Sequence, residues 1–112
     1  MSAARYNLVI DQGSDFAVNF TVKDNGSAKD LTGYSARAQM RTTKSASSVA
    51  ATFTCSIPTP ANGTVVMSLP NATSSAMAAG TYVYDLEIFT ANNVVVTRIL
   101  QGTVDLDQEV TR

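Results

Sequence analysis

Thr81-Tyr82-Val83-Tyr84-Asp85-Leu86-Glu87-Ile88-Phe89 is the stretch that decides the fold. Tyr82, Tyr84, Leu86 and Ile88 share one parity; Thr81, Val83, Asp85 and Glu87 share the other. Successive side chains of a β-strand point to opposite faces, so the segment is predicted to turn one face to a core and the other to water. Ala91-Asn92-Asn93 supplies turn chemistry after it. The next strand is predicted over 94–100. Val94, Val96 and Leu100 oppose Val95 and Ile99 there, so both faces are partly apolar and the strand should be central or covered on both sides. Gly102 allows a kink or bulge before a last strand over 103–106 and a polar tail over 107–112.

The same period of two recurs upstream. Strands are predicted over 6–10 (Tyr6, Leu8 and Ile10 on one face), 15–23, 34–42, 53–57 and 64–69. The expected core comprises Phe16, Phe20, Tyr34, Met40, Phe53, Val65, Met67, Leu69, Tyr82, Tyr84, Leu86 and Ile88. Asp24-Asn25-Gly26 and the Pro58-to-Gly63 segment read as turns. Residues 43–52 are small and without strong alternation, hence a flexible loop, with a weak strand or a short helix as the competing reading; residues 71–79 favour one or two helical turns, with Gly80 as the stop and Met77 as the anchor. Eight short strands at this spacing predict an all-β fold, an antiparallel β-sandwich of about 7–8 strands with a short helical turn near 71–79. The 112 residues are expected to form one domain, 1–112, with no internal repeat.

Composition narrows the function classes. Charged residues make up 15% of the chain and the formal net charge is -1, too little field to attract nucleic acid or an anionic membrane. Arg37 and Arg41 share a strand face and Arg41 with Lys44 makes a small patch, read as solvated rather than as a phosphate site. No segment is long and apolar enough for a membrane span, and 1–5 lacks the apolar centre of a secretion signal. Cys55, the single cysteine, lies on the parity of Phe53 and Ile57 and is expected to pack as a small apolar residue; its lack of a partner suits a reducing cytoplasm.

A chain with no histidine cannot build a Ser-His-Asp or Cys-His arrangement. Without tryptophan it also lacks the usual stacking platform for sugars, leaving Tyr6, Tyr34, Tyr82 and Tyr84 as substitutes. Asp105, Asp107 and Glu109 share a parity and could offer oxygens to calcium, but lack the glycine turn of a calcium loop and read as an acidic edge. Asp11 and Asp15 flank the Gly13 turn as backbone stabilisers; Asp85 and Glu87 should face solvent. No catalytic, cofactor-binding or metal-binding residue is assigned.

Several short sequences, taken in order, resemble a class of small virion proteins of tailed bacteriophages. They are Gln12-Gly13-Ser14-Asp15-Phe16; Asp30-Leu31-Thr32-Gly33-Tyr34 leading into Ala36-Arg37-Ala38-Gln39-Met40-Arg41; Ala79-Gly80-Thr81-Tyr82-Val83-Tyr84-Asp85-Leu86; and Gly102-Thr103-Val104 with Glu109-Val110-Thr111-Arg112. The chain is similar in them to the immunoglobulin-like N-terminal domain of phage baseplate upper proteins. The resemblance implies an Ig-like sandwich and a non-enzymatic structural protein of the virion, assembled in the host cytoplasm. Its expected partners are other virion proteins of the tail or baseplate, in multiple copies within a symmetric assembly, with neither nucleic acid nor membrane bound. The alternatives are a capsid decoration or cement protein on the major capsid protein and, in another class, a host-surface adhesion or carbohydrate-binding module. Binding through a strand edge is expected at 6–10 or 103–106.

Overall fold

The computed structural model describes residues 4–24 and 26–111. Its strands are β1 (Ala4–Arg5), β2 (Leu8–Asp11), β3 (Phe16–Thr21), β4 (Lys23–Asp24), β5 (Ser27–Ala28), β6 (Ser35–Arg41), β7 (Ala51–Ser56), β8 (Thr64–Leu69), β9 (Gly80–Phe89) and β10 (Val96–Asp107). One α-helix, α1 (Asn71–Ala76), a 3₁₀ turn at Pro60–Asn62, and a turn at Ala91–Asn93 in which Asn92 and Asn93 take left-handed φ of 59° and 55°, complete the elements. The protein is all-β.

Eight strands join in one hydrogen-bonded sheet in the order β1-β10-β9-β6-β7-β8-β3, with β2 also on β10; β4 and β5 form a separate small hairpin. The sheet curls. The first half of β7 pairs with β6 (Ala38 opposite Phe53) and its second half with β8 (Cys55 opposite Met67), so this strand turns the corner. The ends of the sheet then approach each other, and the rings of Tyr6 and Phe20 meet edge-on at 5.4 Å. Inside the curl lies the core predicted by parity: Met40, Phe53, Val65, Met67, Leu69, Tyr82, Tyr84, Leu86 and Ile88 are buried. Leu8, Ile10, Leu31, Leu100, Val104 and Leu106 join them. Phe16, Phe20 and Tyr34 are only half-buried, because they pack at the open margin of the curl.

Several expectations need correction. The sheet is mixed, since β1 and β2 run parallel to β10, with Leu8 opposite Val104 and Ile10 opposite Leu106. The strand expected over 6–10 begins only at Leu8, and Tyr6 and Asn7 separate it from the short β1. Their backbone passes so close over Gly102 that a Cβ there would strike the Tyr6 carbonyl. Hydrogen bonds bridge the gap: Tyr6 N–H to the Gln101 carbonyl (2.8 Å), Thr103 N–H to Asn7 Oδ1 (3.1 Å) and the Tyr84 hydroxyl to the Tyr6 carbonyl (2.6 Å). The segments 94–100 and 103–106 are one continuous strand. Its register shifts between Arg98 and Leu100, not at Gly102, so glycine here serves close approach. The strand is central from Leu100 onward, between β9 and β1 or β2, but its start is not covered: Val94, Val95 and Val96 are 78%, 45% and 43% exposed where the β9–β10 hairpin turns. The loop over 43–52 ends at Ala50, and α1 stops at Ala76, before Gly80, where Met77 turns extended. Asn25, expected in a turn, lies outside the described residues, as do 1–3 and Arg112.

Candidate interaction surface

The outward parity of β6, β9 and β10 builds a charged face. Register aligns Arg37 with Glu87 and Arg98, then Gln39 with Asp85 and Gln101, then Arg41 with Val83 and Thr103. β1 adds Arg5 beside Gln101. The 42–50 loop folds over the face, and together they enclose an open trough of about 480 Å³ lined by Arg37, Gln39, Arg41, Lys44, Asp85 and Arg98 among others.

Cross-strand pairs order it. Arg37 Nε donates to Glu87 Oε1 at 2.8 Å and its Nη1 to Asn93 Oδ1 at 3.2 Å, while the guanidinium lies 4.3 Å from the Phe89 ring centroid. Arg98 Nε reaches Asp85 Oδ2 at 3.3 Å. Burial raises the Asp85 carboxyl above the usual carboxylate range, and the facing Arg98 only partly offsets it. Arg41 and Lys44 bond to neutral oxygens: Arg41 to the Ala46 carbonyl (3.0 Å) and Gln39 Oε1 (3.2 Å), Lys44 to Gln101 Oε1 (3.4 Å). Asp85 and Glu87, expected merely to face solvent, are half-buried and ion-paired; Arg98 was not singled out. What joins them is strand register, which parity alone does not contain.

The Gln12-Gly13-Ser14 sequence has a structural task. The hydroxyl of the fully buried Ser74 accepts from Gly13 N–H at 3.0 Å and lies 3.2 Å from the Ser14 and Asn71 carbonyl oxygens, to which it can donate. Gln12 Nε2 donates to the Met77 carbonyl (2.9 Å), and its Oε1 accepts from Glu109 N–H (3.2 Å). Gly13 adopts φ of +85°, and a Cβ there would strike the Glu109 carboxylate. Asp15 Oδ1 accepts from both Asn71 N–H and Asn71 Nδ2 at 2.8 Å, capping α1 from the β2–β3 connection. Asp30 holds the turn before Tyr34, accepting from Thr32 N–H (3.0 Å) and Oγ1 (2.6 Å), bonds that lower its pKa.

Glu109 is not gathered with Asp105 and Asp107. Those two are exposed on the outward face, where Asp11 of β2 stands opposite Asp107. Among the described residues no group of three or more cysteine, aspartate or glutamate side chains is placed to hold a metal ion, and no helix is long and apolar enough to cross a membrane. Cys55 is half-buried, and burial pushes its thiol up to about 11. Two of the four tyrosines spend their hydroxyls internally, Tyr82 on the Ala78 carbonyl and Tyr84 on that of Tyr6. The 103–106 segment is no edge, being paired with β9 on one side and partly with β2 on the other; β2 and β3 each have one strand partner.

No family model matches the chain, and no curated protein matches it. Among solved structures the chain is similar to part of a family 123 glycoside hydrolase from Clostridium perfringens, studied for glycolipid glycan hydrolysis. The identity is 11% and the TM-score 0.38, over 96% of this chain and 24% of that one. The chain thus spans about a quarter of that protein, and a likeness of this size carries no inference about activity.

Proposed function

We propose that this protein is a non-enzymatic structural component of a tailed-bacteriophage virion, positioned in the tail or baseplate region between other virion proteins. The observation that carries the reading is the end of the β9–β10 hairpin at Val94, Val95 and Val96, three consecutive exposed valines. Consecutive exposed apolar residues are a feature of surfaces that become buried in assemblies. The sequences that resemble phage proteins add support. Gln12-Gly13-Ser14 and Asp30-Leu31-Thr32-Gly33 hold turns together, as fold markers would.

The sugar-binding alternative gains little from the tyrosines. Tyr82 and Tyr84 are buried, and Lys29 sits 5.4 Å from the centroid of the half-buried Tyr34 ring, which leaves Tyr6, 49% exposed and edge-on to Phe20, as the most open ring among the described tyrosines. The test is to locate the chain in purified particles by mass spectrometry and image reconstruction. Density at the tail or baseplate, with incorporation reduced by Val94→Asp/Val95→Asp while the isolated fold is unchanged, is expected. Its absence from particles would overturn the reading, and density on the capsid shell would replace it with a decoration protein.

A further inference from the structure

Charge is segregated along the outward face of the sheet. Among the described residues, one part of it carries Arg5, Arg37, Arg41, Lys44 and Arg98 around two carboxylates, Asp85 and Glu87. At the other end Asp105 and Asp107 of β10 and Asp11 of β2 share the same face, with Val9 and Thr81 beside Asp105. The excess of three cations at one end thus faces three carboxylates at the other, although the whole chain carries -1. The cationic set runs from the level of Arg98 to that of Thr103, and the acidic strip follows directly at Asp105 and Asp107.

We propose that two copies of this chain pair face to face about a two-fold axis, the cationic trough of each lying over the Asp11, Asp105 and Asp107 strip of the other. An isologous contact brings the same patch of each subunit together, so a face must be complementary to itself when turned end for end. A uniformly charged face repels its copy, whereas one positive at one end and negative at the other attracts it. The trough has cations to spare for this. Arg37 and Arg98 already face Glu87 and Asp85, while Arg41 and Lys44 hydrogen-bond to amide and carbonyl oxygens that a carboxylate can replace and act on Asp85 more weakly than Arg98 does. Val9, 66% exposed beside Asp105, adds apolar surface to the acidic strip. This pairing goes beyond the virion reading and does not depend on it.

The experiment is sedimentation velocity on the full chain, with two charge-reversed variants whose side chains hold little of the fold, Arg5→Glu/Lys44→Glu and Asp105→Lys/Asp107→Lys. The unaltered chain is expected to dimerise at low ionic strength and to associate about tenfold more weakly near 0.5 M salt, where screening has shortened the reach of exposed charges. Each variant alone is expected to stay monomeric with an unchanged circular dichroism spectrum and thermal midpoint. Mixing the two should restore a dimer, because reversed trough and reversed strip attract. A monomer at every salt concentration, dimerisation of either variant alone at unaltered strength, or a mixture that stays monomeric would each overturn the proposal. So would a monomeric chain whose trough binds poly-L-glutamate, which would assign the trough to a foreign acidic segment. Incorporation of a monomeric chain into particles would overturn the pairing and leave the virion reading standing.

Discussion

At the scale of single residues, function-like side chains turn out to hold backbone. Ser74 is the one buried polar residue of the described chain, and its hydroxyl serves the Gly13 N–H. Ser74→Ala removes the acceptor of that half-buried donor, so a loss of about 1 kcal/mol is expected in urea unfolding. Gly102→Ala is expected to cost at least as much, since the Tyr6 backbone must withdraw from the new Cβ. Tyr84 links this contact to pH. Burial, reinforced by Tyr6, pushes its hydroxyl up to about 12. With the folded pKa above the ordinary value near 10, its stabilising contribution is complete below about pH 10 and lost as pH rises toward 12. Thermal midpoints measured across that interval should fall, and Tyr84→Phe should shrink the fall while lowering stability at neutral pH by about 1 kcal/mol.

At the scale of elements, α1 is too short to sustain itself and begins at Pro70 without a side-chain cap of its own. Asp15 supplies the missing acceptor, so Asp15→Ala should destabilise the fold by about 1 kcal/mol in denaturant unfolding and Asp15→Asn by less. Such a cap is invisible to local rules, because Asp15 and Asn71 are distant in sequence. What parity could read was the face of each strand: Leu86 and Met67 are buried because every second residue points inward. Partner identity was beyond it. Leu8 and Ile10 gave their apolar side correctly but not their parallel neighbour in β10, and Gly102 looked like a strand breaker when it is a crossing point. The candidate surface was legible to the same extent. Arg37, Arg41 and Lys44 were visible as a patch; Asp85, Glu87, Arg98 and Arg5 joined it only through the registers of β9, β10 and β1.

For the whole molecule, β10 is the axis on which both ends of the described chain depend. It carries β9 on one side and β1 and β2 on the other, and buries Leu100, Val104 and Leu106. A chain shortened to end at Thr103 loses two of those side chains and the strand partner of β2, so scanning calorimetry should detect no cooperative transition. The parallel pairing of β2 with β10 also sets a timetable. A ribosome adding roughly 5–20 residues per second delivers Leu8 and Ile10 seconds before Val104 and Leu106 exist to receive them. The first strands must therefore wait, greasy side uncovered, while the middle of the chain is made. Nascent chains arrested before residue 104 should accordingly be sticky, bound by chaperones and open to proteases, and should become resistant only once the last strand has left the exit tunnel.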